Sequence, residues 1–203
     1  MTALTVALSL GSFGSLCALA PTLALIDEFE PDVTWLAIKP MDTPFTSRPS
    51  ADDPMADYKL RRKRARDAWT AREHERDCER LGLDASVTPR YIDAKAADAG
   101  LQFLADTGGD VPAYLTEVLK RGFVDRRSVA DVADIEDLVG GGRFASYMAH
   151  DVAARLAAIE DELAERRIYT GPAYIAGDEA FIGRQHLPLI RWLLGGQRGS
   201  PPV

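Results

Sequence analysis

The first 26 residues constrain the chain most. From Ala3 to Ile26 there is no charged side chain, and the apolar run is cut once, at Gly11-Ser12-Phe13-Gly14-Ser15. Unbroken, a stretch of about 20 apolar residues would read as a membrane span. Two glycines and two serines in its middle have a turn and helix-start composition instead, separating Leu4–Leu10 from Leu16–Ile26. Ala18-Leu19-Ala20 offers a small-x-small cleavage pattern, but the first basic residue is Lys39, whereas a secretory signal begins with positive charge. The stretch is therefore expected to be strand, turn and buried helix, with no export and no membrane. Thr5–Leu10 is nearly continuous apolar, as in a strand covered on both faces. A helix from about Ser15 to Phe29 carries Leu16, Leu19, Leu23 and Ile26 at helical spacing, with Pro21 as a kink. Val33–Ile38 supplies a second strand. Such a strand–helix–strand unit predicts a parallel pair with a right-handed crossover.

Lys39–Pro54 contains Pro40, Pro44, Pro49 and Pro54 among Ser, Thr and Asp, the composition of a long surface loop. From Met55 to about Arg167 the pattern is helical. A charged helix covers Ala56–Leu81, another opens at Asp110-Val111-Pro112, and a short one follows Ser128 with Asp131 in capping-box position. After Gly140-Gly141-Gly142 one long helix is expected, with an apolar stripe of Met148, Val152, Leu156, Ile159 and Leu163. Ala173–Ala176 and Ala180–Ile182 flank Gly177-Asp178-Glu179 as a hairpin, and Leu187–Leu194 is a closing helix ended by Gly195-Gly196. The order is βαβ, a helical block, then ββα. This is an α/β chain with a thioredoxin-like fold and a large all-helical insertion between its halves. The expected division is 1–54 with 168–203 as a discontinuous thioredoxin-like domain and 55–167 as the insertion; 203 residues suffice for both.

Charge and cysteine usage narrow the function. Lys plus Arg total 24 against 31 Asp plus Glu, a net charge of −7, so the chain as a whole does not complement a phosphate backbone. Lys59, Arg61, Arg62, Lys63, Arg64 and Arg66 form a basic run, but on a helix these positions spread around the circumference. Asp67, Glu73, Glu75, Asp77 and Glu79 follow, with Lys63 and Asp67 four apart, which predicts a solvated, ion-paired helix and no nucleic-acid partner. His74, His150 and His186 lie in no metal-binding pattern, so no metal is expected, and Gly140-Gly141-Gly142 lacks the residues of a P-loop. Cys17 and Cys78 are too distant for a CxxC pair and too few for a disulfide framework, which points to reduced thiols in the cytoplasm.

Two stretches carry a family resemblance. Ser9-Leu10-Gly11-Ser12-Phe13-Gly14-Ser15-Leu16 is similar to the D-F-x-S-P-Y-S-Y-like turn, and Thr170-Gly171-Pro172-Ala173-Tyr174-Ile175-Ala176-Gly177-Asp178-Glu179-Ala180-Phe181-Ile182-Gly183-Arg184-Gln185-His186-Leu187 to the G-V-P-T-F strand, D-G-E turn and L-F-W-G-x-D-R-L segment, of the DsbA-like thioredoxin-fold family. The basic helix Tyr58–Leu83, ending Arg80-Leu81-Gly82-Leu83, resembles that family's first inserted helix. The group includes 2-hydroxychromene-2-carboxylate isomerases and kappa-class glutathione transferases.

The resemblance implies a homodimeric, glutathione-dependent isomerase acting on an aromatic or polyketide-like carboxylic acid by reversible thiolate addition. A glutathione transferase or a non-catalytic binding protein is the alternative. Ser12 and Ser15 stand at the spacing of a redox CxxC, and hydroxyls form no mixed disulfide, so dithiol exchange is excluded. From the residues alone Ser12 is a helix cap; the resemblance adds a hydrogen bond from its hydroxyl to the glutathione thiolate. Gly171-Pro172 matches the family's cis-proline, whose preceding residue presents its backbone to glutathione. Gln185 replaces an expected Asp and with it the charged partner of the γ-glutamyl ammonium, leaving an amide that can accept a neutral hydrogen bond. Arg184 is a candidate carboxylate ligand beside it. Ser15, Ser47 and Arg48 are expected on the substrate side.

Overall fold

Leu4, Val6, Ala7 and Leu8 offer apolar side chains to both faces of β1 (Ala3–Leu8), and all four are buried. A strand of this kind belongs inside a sheet. In the computed structural model, which describes residues 3–38, 55–140 and 142–202, β1 pairs in parallel with β2 (Asp32–Ala37) and antiparallel with β3 (Ala173–Ala176). The hairpin partner β4 (Glu179–Ile182) completes the order β2-β1-β3-β4. Ala7 faces Leu36 on one side and Ala173 on the other, while Val6 faces Trp35 and Tyr174. Both halves of the expected thioredoxin-like arrangement are thus present. Strand β1 begins and ends two residues earlier than the apolar pattern suggests, because Ser9 and Leu10 leave the ladder to start a turn.

Helices cover both faces. α1 (Phe13–Phe29) keeps Pro21 inside it and ends at Glu30, whose φ of 44° and N–H bond to the Ile26 carbonyl close the last turn. Across the sheet it is tied to β3 by a buried hydrogen bond of 2.7 Å between the hydroxyls of Thr22 and Tyr174. On the opposite face Ala7, Leu36, Ala173 and Ile175 pack with Ile159 and Leu163 of α7 (Val152–Glu165). α8 (Leu187–Leu194) closes the chain as expected, with Leu187 and Ile190 buried.

The intervening block is helical: α2 (Ala56–Leu81), α3 (Lys95–Thr107), α4 (Val111–Leu119), extended by a wide turn Lys120–Val124, α5 (Val132–Val139) and α6 (Gly142–His150) before α7. Asp110 caps α4 by accepting the Ala113 N–H at 3.1 Å, and the Asp134 carboxylate accepts the Asp131 N–H at 3.0 Å at the start of α5. The single long helix expected after Gly142 is two helices. Asp151, with φ −110°, interrupts it. Of the expected stripe Ile159 and Leu163 are buried, and Met148, Val152 and Leu156 half-buried.

By packing, the chain divides at points other than 55 and 167. Residues 1–40 and 90–203 form one compact unit, and 41–89 the second. Helices α3 to α7 therefore belong to the same body as the sheet. In the second unit the chain beyond α2 turns back, with His74 Nε2 3.0 Å from the Thr88 carbonyl and Cys78 buried one turn on. Arg76 pairs with Glu73, and Arg80 with Asp77 at 3.0 Å. The expected pair of Lys63 and Asp67 does not form; both stay exposed or half-exposed without an ion pair among the described residues. Among the described residues no helix is long and apolar enough to cross a membrane.

Candidate functional site

Between Leu8 and Phe13 the backbone makes a turn whose polar groups are held mainly by the segment leading into α3. The Gly11 carbonyl accepts the Ile92 N–H at 3.0 Å, the Phe13 N–H donates to the Arg90 carbonyl at 3.0 Å, and the Leu10 N–H donates to Asp98 Oδ1 at 2.8 Å. Ser12 and Tyr91 form an isolated antiparallel bridge. Within the turn the Ser12 N–H donates to the Ser9 carbonyl at 3.0 Å. Buried backbone groups need such partners, and here a neighbouring strand supplies none of these bonds.

Ser12 caps α1. Its backbone is extended (φ −101°, ψ 128°), and its Oγ accepts the Gly14 N–H at 3.2 Å. A hydroxyl that accepts still has its own proton to donate. The cap and the thiolate donor are therefore compatible roles of one oxygen, which is half-buried at the positive end of a 17-residue helix with no acidic residue in its first turn.

Facing this turn is Pro172, whose peptide bond with Gly171 is cis. A Cβ on Gly14 would stand 3.3 Å from Ser12 Oγ and 3.5 Å from Pro172 Cδ, so glycine here lets the helix start and the proline approach each other. Gly171 is tighter still, since a Cβ there would meet the Ser9 nitrogen at 2.9 Å and the Ala7 oxygen at 3.0 Å. The Pro172 carbonyl accepts the Gly183 N–H at 2.8 Å, bringing the 183–186 segment alongside.

The remaining candidates distribute unevenly. Gln185 is exposed on the single 3-10 turn Arg184–His186 and folds back, its Nε2 donating to the Ile182 carbonyl at 2.9 Å. Its Oε1 keeps acceptor capacity. Arg184 is half-buried, and its positive charge acts on Tyr174, working against the burial that raises that phenol's pKa. Ser15 is wholly buried with no partner for its hydroxyl, so it does not present that hydroxyl to a ligand at the surface. Cys17 is buried one turn along and takes part in no disulfide. Ser47 and Arg48 lie outside the described residues.

Sequence reasoning missed Asp98. The side chain is 4% exposed, and burial pushes its carboxyl pKa up to about 8, with the Leu10 N–H pulling the other way and Asp93 adding to the rise. Beside it the Tyr114 hydroxyl donates to the Ala97 carbonyl at 2.8 Å. The available signal was a single acid in the run Ala96-Ala97-Asp98-Ala99-Gly100-Leu101. A cleft of about 360 Å³ lies elsewhere, between β2 (Val33–Leu36), the end of α3 and Arg155, and contains none of the predicted site residues.

No family model matches the chain, and no curated protein is similar to it in sequence. Solved structures do match. A 2-hydroxychromene-2-carboxylate isomerase aligns over 96% of this chain and 95% of its own with a TM-score of 0.67 at 15% identity. A probable DsbA oxidoreductase from Streptomyces coelicolor aligns over 100% and 94% (TM-score 0.66, 15% identity). The cytosolic disulfide reductase DsbM from Pseudomonas aeruginosa, solved with GSH, aligns over 96% and 98% (TM-score 0.61, 15% identity). The chain has the DsbA-like thioredoxin fold.

Proposed function

We propose that this protein is a glutathione-dependent isomerase that acts on an aromatic or polyketide-like carboxylic acid. The observation that carries the reading is Ser12, half-exposed at the start of α1 where Pro172 also approaches Gly14, with its Oγ accepting the Gly14 N–H and its proton free to donate. Glutathione would supply a thiolate that adds to an unsaturated carbon, turning a double bond single so that it can rotate, and leaves again with the thiol restored. The chain's own part is to favour the anion and orient both partners. Ser12 donates to the thiolate, the α1 terminus contributes positive potential, and Gly171 offers its backbone to the peptide-like portion. Gln185 Oε1 would accept from the γ-glutamyl ammonium in place of a carboxylate, and Arg184 would serve the substrate carboxylate. Likeness to an isomerase, and to a reductase solved with GSH, supports this reading. Serine at both 12 and 15 argues against the dithiol exchange of other members of the fold. The reading carries with it a cytoplasmic homodimer with no nucleic-acid partner.

Calorimetric titration with reduced glutathione tests it. Saturable binding is expected, and at ten times Kd the ligand should stabilise the fold by about 1.4 kcal/mol, roughly 3–6 °C in Tm for a chain of this size. No heat and no Tm shift at millimolar glutathione would overturn the assignment in favour of a non-catalytic binding protein.

A further inference from the structure

The turn that presents Ser12 is not fixed by the sheet alone. Of the bonds that hold it, that to Asp98 is the one made by an ionisable side chain, reaching from α3 in the helical block to a backbone N–H two residues before Ser12. The carboxyl sits against Tyr114 of α4 and feels Asp93 just before α3; Tyr114 in turn faces Arg121 in the wide turn after α4, which is paired with Asp137 of α5 at 2.7 Å. Residues 9–15 carry no charge of their own. A carboxylate accepts a hydrogen bond more strongly than a carboxylic acid, so the hold on Leu10 differs between the two forms. Two residues of chain span at most about 7 Å, which keeps the Asp98 carboxyl within about 10 Å of Ser12, the cap of α1.

We propose that Asp98 is the positioning residue of the Ser12 turn, and that gain or loss of its proton is transmitted through the Leu10 N–H to the first turn of α1. The site's hold on an anion then depends on a group inside the helical block. The positioning half stands on the geometry at Leu10; the effect on a bound anion rests on the thiolate reading of Ser12. Burial that lifts the carboxyl to about 8 puts the change within reach of ordinary buffers.

The test follows the backbone amides of Leu10 and Gly14 by NMR in the full chain, wild type and Asp98→Asn, from about pH 6 to about pH 10. Asparagine keeps the shape and an accepting oxygen but cannot ionise. In the wild type both amides should move with one midpoint, shared by the Asp98 carboxyl carbon, and in Asp98→Asn both should stay flat. Wild-type amides that do not titrate, or that titrate unchanged in the variant, overturn the proposal. Should Asp98→Asn fail to fold, the wild type decides: coincident midpoints for the Asp98 carboxyl carbon and the Leu10 amide support it, and separate midpoints sink it. A second arm saturates both proteins with reduced glutathione and reads thiolate absorbance against pH. Loss of the neighbouring charge should lower the thiol midpoint by up to roughly one pH unit, and an unmoved midpoint overturns the transmitted effect. If glutathione does not bind while the amides titrate together, the thiolate reading falls and the positioning role is supported.

Discussion

The hydroxyl of Ser12 and the ring of Pro172 both border Gly14, 3.3 Å and 3.5 Å from where its Cβ would be. Two segments far apart in sequence thus converge on one small residue, and any ligand seated between cap and proline must share that space. Alanine at this position has two opposed effects. It favours helix over glycine by up to about 1 kcal/mol, and it crowds Ser12 by a few tenths of an ångström. Gly14→Ala should therefore keep its Tm within about 3 °C of wild type, while glutathione affinity falls roughly fivefold or more, about 1 kcal/mol. Scanning calorimetry and titration on the same sample check both halves; undiminished affinity would remove Gly14 from the site.

Ser12 and Ser15 look alike in sequence and differ physically. Ser12→Ala removes a satisfied cap and should cost about 0.5–2 kcal/mol of stability together with glutathione binding, and Ser12→Thr should restore much of each. Ser15→Ala removes a buried hydroxyl that has no partner. Relief of that unmet group should stabilise the protein by about 1 kcal/mol, with glutathione affinity unchanged. Urea unfolding and titration on the three variants discriminate the roles, and a loss of binding confined to Ser15→Ala would reverse the assignment.

Gly171 tests whether the proline segment is held by rigid neighbours. Besides Ile38 Cγ2 at 3.0 Å, the atoms that its Cβ would meet are the backbone nitrogen of Ser9 at 2.9 Å and the backbone oxygen of Ala7 at 3.0 Å, neither of which can rotate away as a side chain does. Gly171→Ala should force β1 and the turn apart and destabilise by about 1–3 kcal/mol. A midpoint of urea unfolding equal to that of the wild type would show that the approach is looser than described.

What was legible in the sequence was whatever leaves a local trace. The Gly177-Asp178 turn, the glycines after Leu194 and the charged run through Leu81 fixed β3, β4, α8 and α2 closely, because punctuation by glycine and patterning by charge are properties of neighbouring residues. The cap at Ser12 was readable for the same reason. The Asp151 interruption was not, since the apolar stripe continues in phase across it and only a backbone angle reveals the break. Asp98 was invisible for a different cause. Its partner Leu10 lies 88 residues away, and within α3 nothing distinguishes a buried acid from a solvated one. The supporting frame of the site comes from the helical block, which sequence reasoning had treated as a separate body.

Asp98 also governs how the fold responds to pH. In the unfolded chain its carboxyl titrates near about 3.9, and in the fold burial lifts it to about 8. The folded state therefore holds the proton over a window in which the unfolded state has released it. The Asp98 contribution to stability is intact below about pH 4 and declines as pH rises toward 8, by up to about 1.4 kcal/mol per unit, levelling off once the folded form has ionised as well. Asp98→Asn removes the titration. Urea unfolding at about pH 5 and about pH 8 should show wild type losing stability relative to the variant by several kcal/mol, with other groups cancelling in the difference. Parallel pH dependences in the two proteins would mean that the carboxyl ionises normally in the fold, and that water reaches it beside Leu10.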